Sequence, residues 1–232
     1  MEDSKVFSEI FDGLKVAYGT YRVKRTAQSG KNVGQAAVVK APRTPALWEG
    51  HLSGKGDALG IIPINEDNSC VWGCIDIDTY PLDHKELVTK IRKAKLPLVV
   101  CRSKSGGAHC FLFTTEWITA QLMQETLQHI AASLGYGGCE IFPKQVRLFL
   151  ERGDVGNFLN MPYFDAEDGL RYGIKDDGQS ATLHEFFEMH KKYAQTPEQV
   201  GGITVEEDST IPVKDGPPCL QILAREKISE GG

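Results

Sequence analysis

The chain has 232 residues, 41% of them hydrophobic, enough for one packed domain or two small ones. A net charge of -5 excludes a surface coated in basic residues, and no apolar run approaches the roughly 20 residues that cross a bilayer. The acidic start, MEDSKVFSEIFDG, is not a secretion signal, so a cytoplasmic protein with no membrane partner is expected.

Charge is segregated along the chain. Gly13 to Gly56 holds Lys15, Arg22, Lys24, Arg25, Lys31, Lys40, Arg43 and Lys55 against Glu49 alone, which suits phosphate contacts or a plain solvated surface. Within it, Lys40, Arg43, Trp48 and His51 are candidates for contact with a template strand. Gln35 to Lys40 and Ala58 to Asn65 read as strands. Val71 to Asp78, VWGCIDID, is a strand by its β-branched and aromatic content. Asp83 with Glu86 resembles a capping box, opening a helix through about Ala94 that Pro97 ends. Leu98 to Cys101, the turn RSKSGG and His109 to Phe113 form a predicted hairpin of buried strands. A helix follows with Ile118, Leu122, Leu127, Ile130, Ala131 and Leu134 at helical spacing, Thr115 as its cap and Gly135 at its end. Cys139 to Phe142 is a short strand. Val146 to Leu150 and Asn157 to Phe164 suggest two more, and Thr182 with Glu185 opens a helix through LHEFFEMHKKYA.

The order strand, helix, strand, strand, helix, strand predicts an α+β fold with a ferredoxin-like or RRM-like split βαβ sheet. The division expected is a domain over 1–195, a linker over 196–216, and over 217–232 the cut-short start of a helical domain. Cys70, Cys74, Cys101, Cys110, Cys139 and Cys219 show no C-x-x-C spacing and read as reduced small hydrophobes, with no structural zinc expected.

In the strand VWGCIDID, Asp76 and Asp78 project from one side, roughly 6 to 7 Å apart. A lone D-x-D is most often a solvated strand end. In a split βαβ sheet, however, the first strand lies between the third and fourth, both antiparallel to it, so its end meets their beginnings, His109 and Glu140. Three carboxylates converging on one edge lose hydration and repel one another, which a divalent cation relieves. The loop Ser103, Lys104, Ser105, Gly106, Gly107 brings hydroxyls, a cation and accessible amides to that edge, groups that suit a polyphosphate, with His109 as a further donor. It is not a P-loop. Lys144, Arg147, Asn157 and Asn160 are further candidates to hold phosphate, sugar or base, and Tyr80 to touch the sugar. Two hard cations beside a triphosphate fit nucleotidyl transfer.

These stretches, ALGIIPI leading into GCIDID, then SKSGGAHCFLF, then CEIFPKQ, resemble in order and spacing the three motifs of the archaeo-eukaryotic primase superfamily, especially its primase-polymerases from phages, plasmids and mobile elements. The resemblance spans about 7–164. It implies Asp76, Asp78 and Glu140 as catalytic metal ligands for two Mg²⁺ or Mn²⁺ ions, and Ser105 and His109, with Lys104, as phosphate contacts. It implies also a smaller N-terminal α/β module (about 1–65) packed beside the catalytic sheet (66–195). The partners implied are a single-stranded DNA template, a primer strand, NTP or dNTP, and in some relatives a helicase. Two other classes remain open: a noncatalytic RRM-like module that binds single-stranded nucleic acid, and a metal-dependent glycosyltransferase, which would need an open nucleotide-binding sheet.

Overall fold

The computed structural model describes residues 2–25 and 32–203. In chain order the elements are α1 (Glu2–Ile10), β1 (Tyr18–Arg25), β2 (Asn32–Val39), α2 (Pro45–Leu52), β3 (Ala58–Ile61), β4 (Ser69–Ile77), α3 (His84–Lys93), β5 (Val99–Arg102), β6 (Ala108–Thr119), α4 (Ala120–Ser133), β7 (Glu140–Phe142), a 3₁₀ turn (Leu150–Arg152), β8 (Leu159–Asn160), β9 (Gly173–Ile174), β10 (Ser180–Ala181), α5 (Leu183–Tyr193) and α6 (Pro197–Gly201). They build an α+β fold with two sheets, one ordered β2-β1-β3-β8 and one ordered β10-β9-β5-β6-β4-β7. Within the second, β7-β4-β6-β5 is the split βαβ order, with β4 antiparallel to both β6 and β7. No helix among the described residues is long and apolar enough to cross a membrane.

Alternation along the strands sorts side chains onto two faces. Ile75, Ile77, Val100, Cys110 and Leu112 face α3 and α4, where Leu87, Ile91, Met123, Leu127 and Ile130 complete one core. Trp72, Cys74, Val99, Cys101, Phe111 and Phe113 face the other way, onto α1, α5 and the first sheet, where Phe7, Phe11, Leu59, Met161 and Phe186 close a second core rich in aromatic contacts. The second sheet is thus buried on both faces at its centre, and each large side chain removed from water there is worth about 1.5 to 3 kcal/mol. Cys70 and Cys139 join the first core, Cys70 buried and Cys139 half-buried, while Cys219 lies outside the described residues.

Several expected boundaries shift for identifiable reasons. The helix expected from Thr115 begins at Ala120, with the Thr119 side chain accepting from Leu122 N, because β6 runs on through Ile118, which pairs with Cys70 of β4. Val146 to Leu150 is not a strand: Leu148 N donates to the Asn68 side chain instead of a ladder, and a 3₁₀ turn follows. Only Leu159–Asn160 of the expected strand 157–164 pairs, since Pro162 has no N–H and Tyr163 and Asp165 take positive φ. Residues 197–201, expected in a linker, form a helix under a Thr196 and Gln199 capping box. The rest of that segment and 217–232 lie outside the described residues.

His51, at the end of α2, is fully buried beneath Phe7 and knits this half together. Its Nδ1 accepts from Leu59 N at 2.9 Å, so the ring proton sits on Nε2 and is donated to the Pro162 carbonyl at 2.8 Å. Burial holds its pKa down to about 4, opposed by the Pro162 bond and helped by Arg171. The sign follows from linkage. The unfolded chain takes a proton near pH 6.5 and the native state refuses it until about 4, so stability is full above that upper value and falls as pH drops through the interval. Urea unfolding at pH 7.5 and 4.5 should show a His51 contribution on the order of 3 kcal/mol to the acid-side loss. His51→Gln should lower stability at pH 7.5 and flatten this dependence. An unchanged pH profile in the variant would show that His51 is not the group responsible.

Candidate nucleotidyl-transfer site

The register of the second sheet builds one row of residues across five strands: Glu140 opposite Asp76, Asp76 opposite His109, His109 opposite Cys101, and Cys101 opposite Gly173. Cys74, Phe111 and Val99, two residues away on their strands, belong to the core beside the first sheet, so Asp76 and His109 open toward that module. Asp78 follows the last residue of β4. The three carboxylates and the histidine are thereby gathered at one end of adjacent strands, as strand order predicts.

Desolvation pushes the Asp76 pKa up to about 7, and the negative charges of Asp78 and then Glu140 push the same way, opposed by Lys144. Its Oδ1 is buried without a hydrogen-bond partner. His109 Nε2 lies 3.4 Å from that oxygen, and burial, reinforced by Arg171, holds the imidazole neutral with a pKa of about 4, so the contact is not an ion pair at neutral pH. Glu140 is exposed and pairs with Lys144 at 2.7 Å, while Asp78 accepts from the Tyr80 hydroxyl at 2.7 Å. Among the described residues no three His, Cys, Asp or Glu side chains are already gathered around one point. Even so, the donor set fits a hard divalent cation: oxygen ligands, one of them an orphaned buried carboxylate oxygen whose neighbours repel it.

The hairpin between β5 and β6 is folded onto this edge. Ser103 N donates to Gly107 O and Gly106 N to Ser103 O, with Gly106 at φ 98°, a conformation that favours glycine. Gly107 lies so close to β4 that a β-carbon there would collide with the Ile77 carbonyl oxygen, and its own carbonyl meets the His84 ring nitrogen at 2.9 Å. A larger residue at 107 would therefore push the loop off the strand that carries Asp76 and Asp78. Ser103 Oγ is buried and unpartnered, Ser105 approaches the exposed Tyr80 hydroxyl, and Lys104 donates to Tyr21 OH at 2.7 Å with its Nζ 3.9 Å from that ring.

The remaining sequence candidates divide. Asn160, half-buried in β8, has an unpartnered Oδ1. Asn157 is bonded to the Gln145 side chain, and Arg147 lies over Phe149. Of the residues expected to touch a template, His51 and Trp48 are core, and Arg43 is a buried partner of Asp12 at 2.9 Å. His51 and Trp48 are thus held inside the protein, while Arg43 keeps one guanidinium nitrogen, NH1, buried without a partner. Lys40 is exposed and donates to Gly153 O. Two further residues escape sequence reasoning: Tyr21, the seat of Lys104, and Arg171, buried and near enough to lower the His109 pKa. Neither lies in a motif, and only the packing of the two sheets brings them here.

The fold and this edge define a primase-type split βαβ domain. Residues 17–194 match the family model described as the archaeo-eukaryotic primase domain of the TOTE conflict system, and the chain belongs to that family. Homologues of this domain are nucleotidyltransferases. Solved structures similar to the chain include primase RepB′ (11% identity, TM-score 0.39, covering 99% of this chain and 68% of that one). Another is the catalytic domain of RepB′ in complex with initiator DNA (11%, 0.40, 87% and 96%), and a third is the AEP domain of the cyanophage S-2L primase-polymerase (10%, 0.43, 81% and 96%). No curated protein matches the chain at a significant level.

Replacing Asp76 by Asn removes the buried negative charge without changing its size. In EDTA the variant should melt a few degrees above the wild type. Mn²⁺ should raise the melting temperature of the wild type, and not that of the variant. Equal stabilisation of both proteins by Mn²⁺ would remove Asp76 from the ligand set.

Proposed function

We propose that the domain is a template-dependent nucleotidyltransferase, a DNA primase and polymerase that makes and extends primers on single-stranded DNA from NTPs or dNTPs. The observation that carries this reading is the row Glu140, Asp76 and His109 on three adjacent strands, with a phosphate-suited hairpin folded onto its end. Family membership supports the same class.

In this reading Asp76, Asp78 and Glu140 hold two Mg²⁺ or Mn²⁺ ions. Bound there, such ions supply charge neutralisation for a triphosphate and activation of a 3′-hydroxyl. The chain's own groups orient the nucleotide. Ser103 and Ser105 hydroxyls and the amides of Gly106 and Gly107 donate to phosphate oxygens, and Lys104 neutralises charge. His109, kept neutral by burial, donates from one ring nitrogen and accepts at the other. Glu140 must leave Lys144 to serve as a ligand, which frees Lys144 for an anionic group arriving at the same place. Tyr80, bonded to Asp78 and exposed, stands where a sugar would pass. The core side of the site excludes water through Phe111, Cys74 and Cys101.

The test is incubation with unprimed single-stranded DNA, nucleotides and Mg²⁺ or Mn²⁺. New oligomers are expected from the wild type, and a loss of at least about 100-fold from Asp76→Ala and Asp78→Ala, each still folded by circular dichroism. Extension of a supplied primer without new oligomers would restrict the assignment to polymerase. Metal-dependent synthesis retained by either variant would remove it.

A further inference from the structure

Among the arginines whose side chains the structure describes, only Arg147 and Arg152 are exposed. The others are wholly or partly enclosed and hold protein partners: Arg43 pairs with Asp12 and Arg92 with Asp176, while Arg102 and Arg171 donate to the Leu170 and Met161 carbonyls. Both exposed guanidiniums lie over one ring, Arg147 at 5.2 Å and Arg152 at 5.0 Å from the centroid of Phe149. Two like charges are thereby held no further apart than about one Debye length, ~10 Å at 0.1 M salt, so they repel each other. Among the described residues neither forms an ion pair, since Asp154 accepts from Gly156 N and the exposed Glu151 pairs with no cation. The turn that carries them is firmly seated. Leu148 is buried with Leu14, Ile62 and Ile64, and Lys40 Nζ donates to Gly153 O at 3.0 Å, fastening the turn to the end of β2. Leu148 N donates to the side chain of Asn68, the residue before β4, so Arg147 adjoins the opposite end of that strand from Asp76. The residues of β4 in between, at roughly 3.3 Å each, put about 26 Å between the two ends.

We infer that Arg147 and Arg152, held by the Phe149 ring, form a remote anchor for the sugar–phosphate backbone of a nucleic-acid strand whose reacting end lies at the carboxylate edge. This rests on the nucleotidyl-transfer reading, which places that reacting end. Planar guanidinium forks match phosphate oxygens, and the ring beneath them offers an apolar face to sugar or base. On a chain of net charge -5, two cations gathered without a carboxylate are a local exception, and a polyanion relieves their repulsion. The template contacts expected at Trp48 and His51 are buried, whereas this turn presents its charges to solvent. At roughly 3.4 Å per stacked nucleotide, the separation from Asp76 corresponds to about eight nucleotides. The anchor therefore engages only strands long enough to reach both ends of β4, and it acts on how long a growing strand stays bound rather than on the chemical step.

Equilibrium binding of labelled single-stranded DNA of about 4 and about 20 nucleotides, measured across a range of salt concentrations, reads the anchor through its length dependence. Arg147→Gln combined with Arg152→Gln should weaken binding of the long strand by about 10- to 100-fold and leave the short strand within about twofold. The same double variant should flatten the salt dependence for the long strand by roughly 0.7 for each arginine removed. Arg147→Lys combined with Arg152→Lys keeps both charges, so it should keep the salt dependence while losing part of the affinity. Both side chains are exposed, and each variant should melt with the wild type. Long-strand binding left unchanged, or both lengths weakened equally, would overturn the anchor and leave the two arginines a solvated surface, with the nucleotidyl-transfer reading still standing. Displacement of the long strand by polyglutamate as effectively as by unlabelled DNA of equal charge would also overturn it, in favour of an acidic protein partner. A wild type that binds neither strand would remove the nucleotidyl-transfer reading and the anchor together.

Discussion

The rest of the structure depends on the pairing of β4 with both of its neighbours. Because Asp76 stands opposite Glu140 on one side and His109 on the other, charged and titratable groups occupy a row that is otherwise apolar one step further along every strand. That row costs stability. Buried beside two other carboxylates, Asp76 holds a proton that a free carboxylate would release. The two cores on either face of the sheet offset this, and they also make it unavoidable. A one-residue slip of β4 would place the acids among Leu87, Ile91 and Leu127 and turn the isoleucines away from that core, so the register is locked by hydrophobic burial rather than by any attraction between the polar groups.

The same constraint explains how the loops are placed. Gly107 approaches the Ile77 carbonyl, and His84 of α3 meets Gly107 O, so the hairpin is clamped between strand and helix immediately beside Asp78. From the other side the first sheet reaches over through Tyr21. The chain then returns to that sheet after β7, pairing Leu159 and Asn160 with β3, and this return brings the Met161 carbonyl and the Phe164 ring against Arg171. Tyr21 and Arg171, some 150 positions apart, line one cavity with Lys104, which no local pattern records.

What sequence could reveal follows from this division. The split βαβ unit is legible because each strand and helix carries its own periodicity and caps, as at Asp83, Thr182 and the VWGCIDID strand, and because strand order alone sends Glu140 and His109 toward Asp76. The return segment is not legible. Its apolar residues, FLNMPYF, look like a strand, but Pro162 and the positive φ of Tyr163 and Asp165 break the ladder after two residues. β9 and β10, two residues each, carry no period at all, and β1 was hidden by its alternation of tyrosine, lysine and arginine, which reads as a charged surface stretch.

Cations show the same limit from the energetic side. Lys40, Arg43, Lys104 and Arg171 are equal in a charge count, and sequence gives no ground for preferring any of them as a phosphate ligand except the glycines beside Lys104. Structure separates them by what already neutralises them. Arg43 is paired with Asp12 in its burial, and Lys40 is spent on a carbonyl at the surface. Arg171 forms no ion pair among the described residues: the Met161 carbonyl and the Phe164 ring receive its guanidinium, and desolvation lowers its pKa.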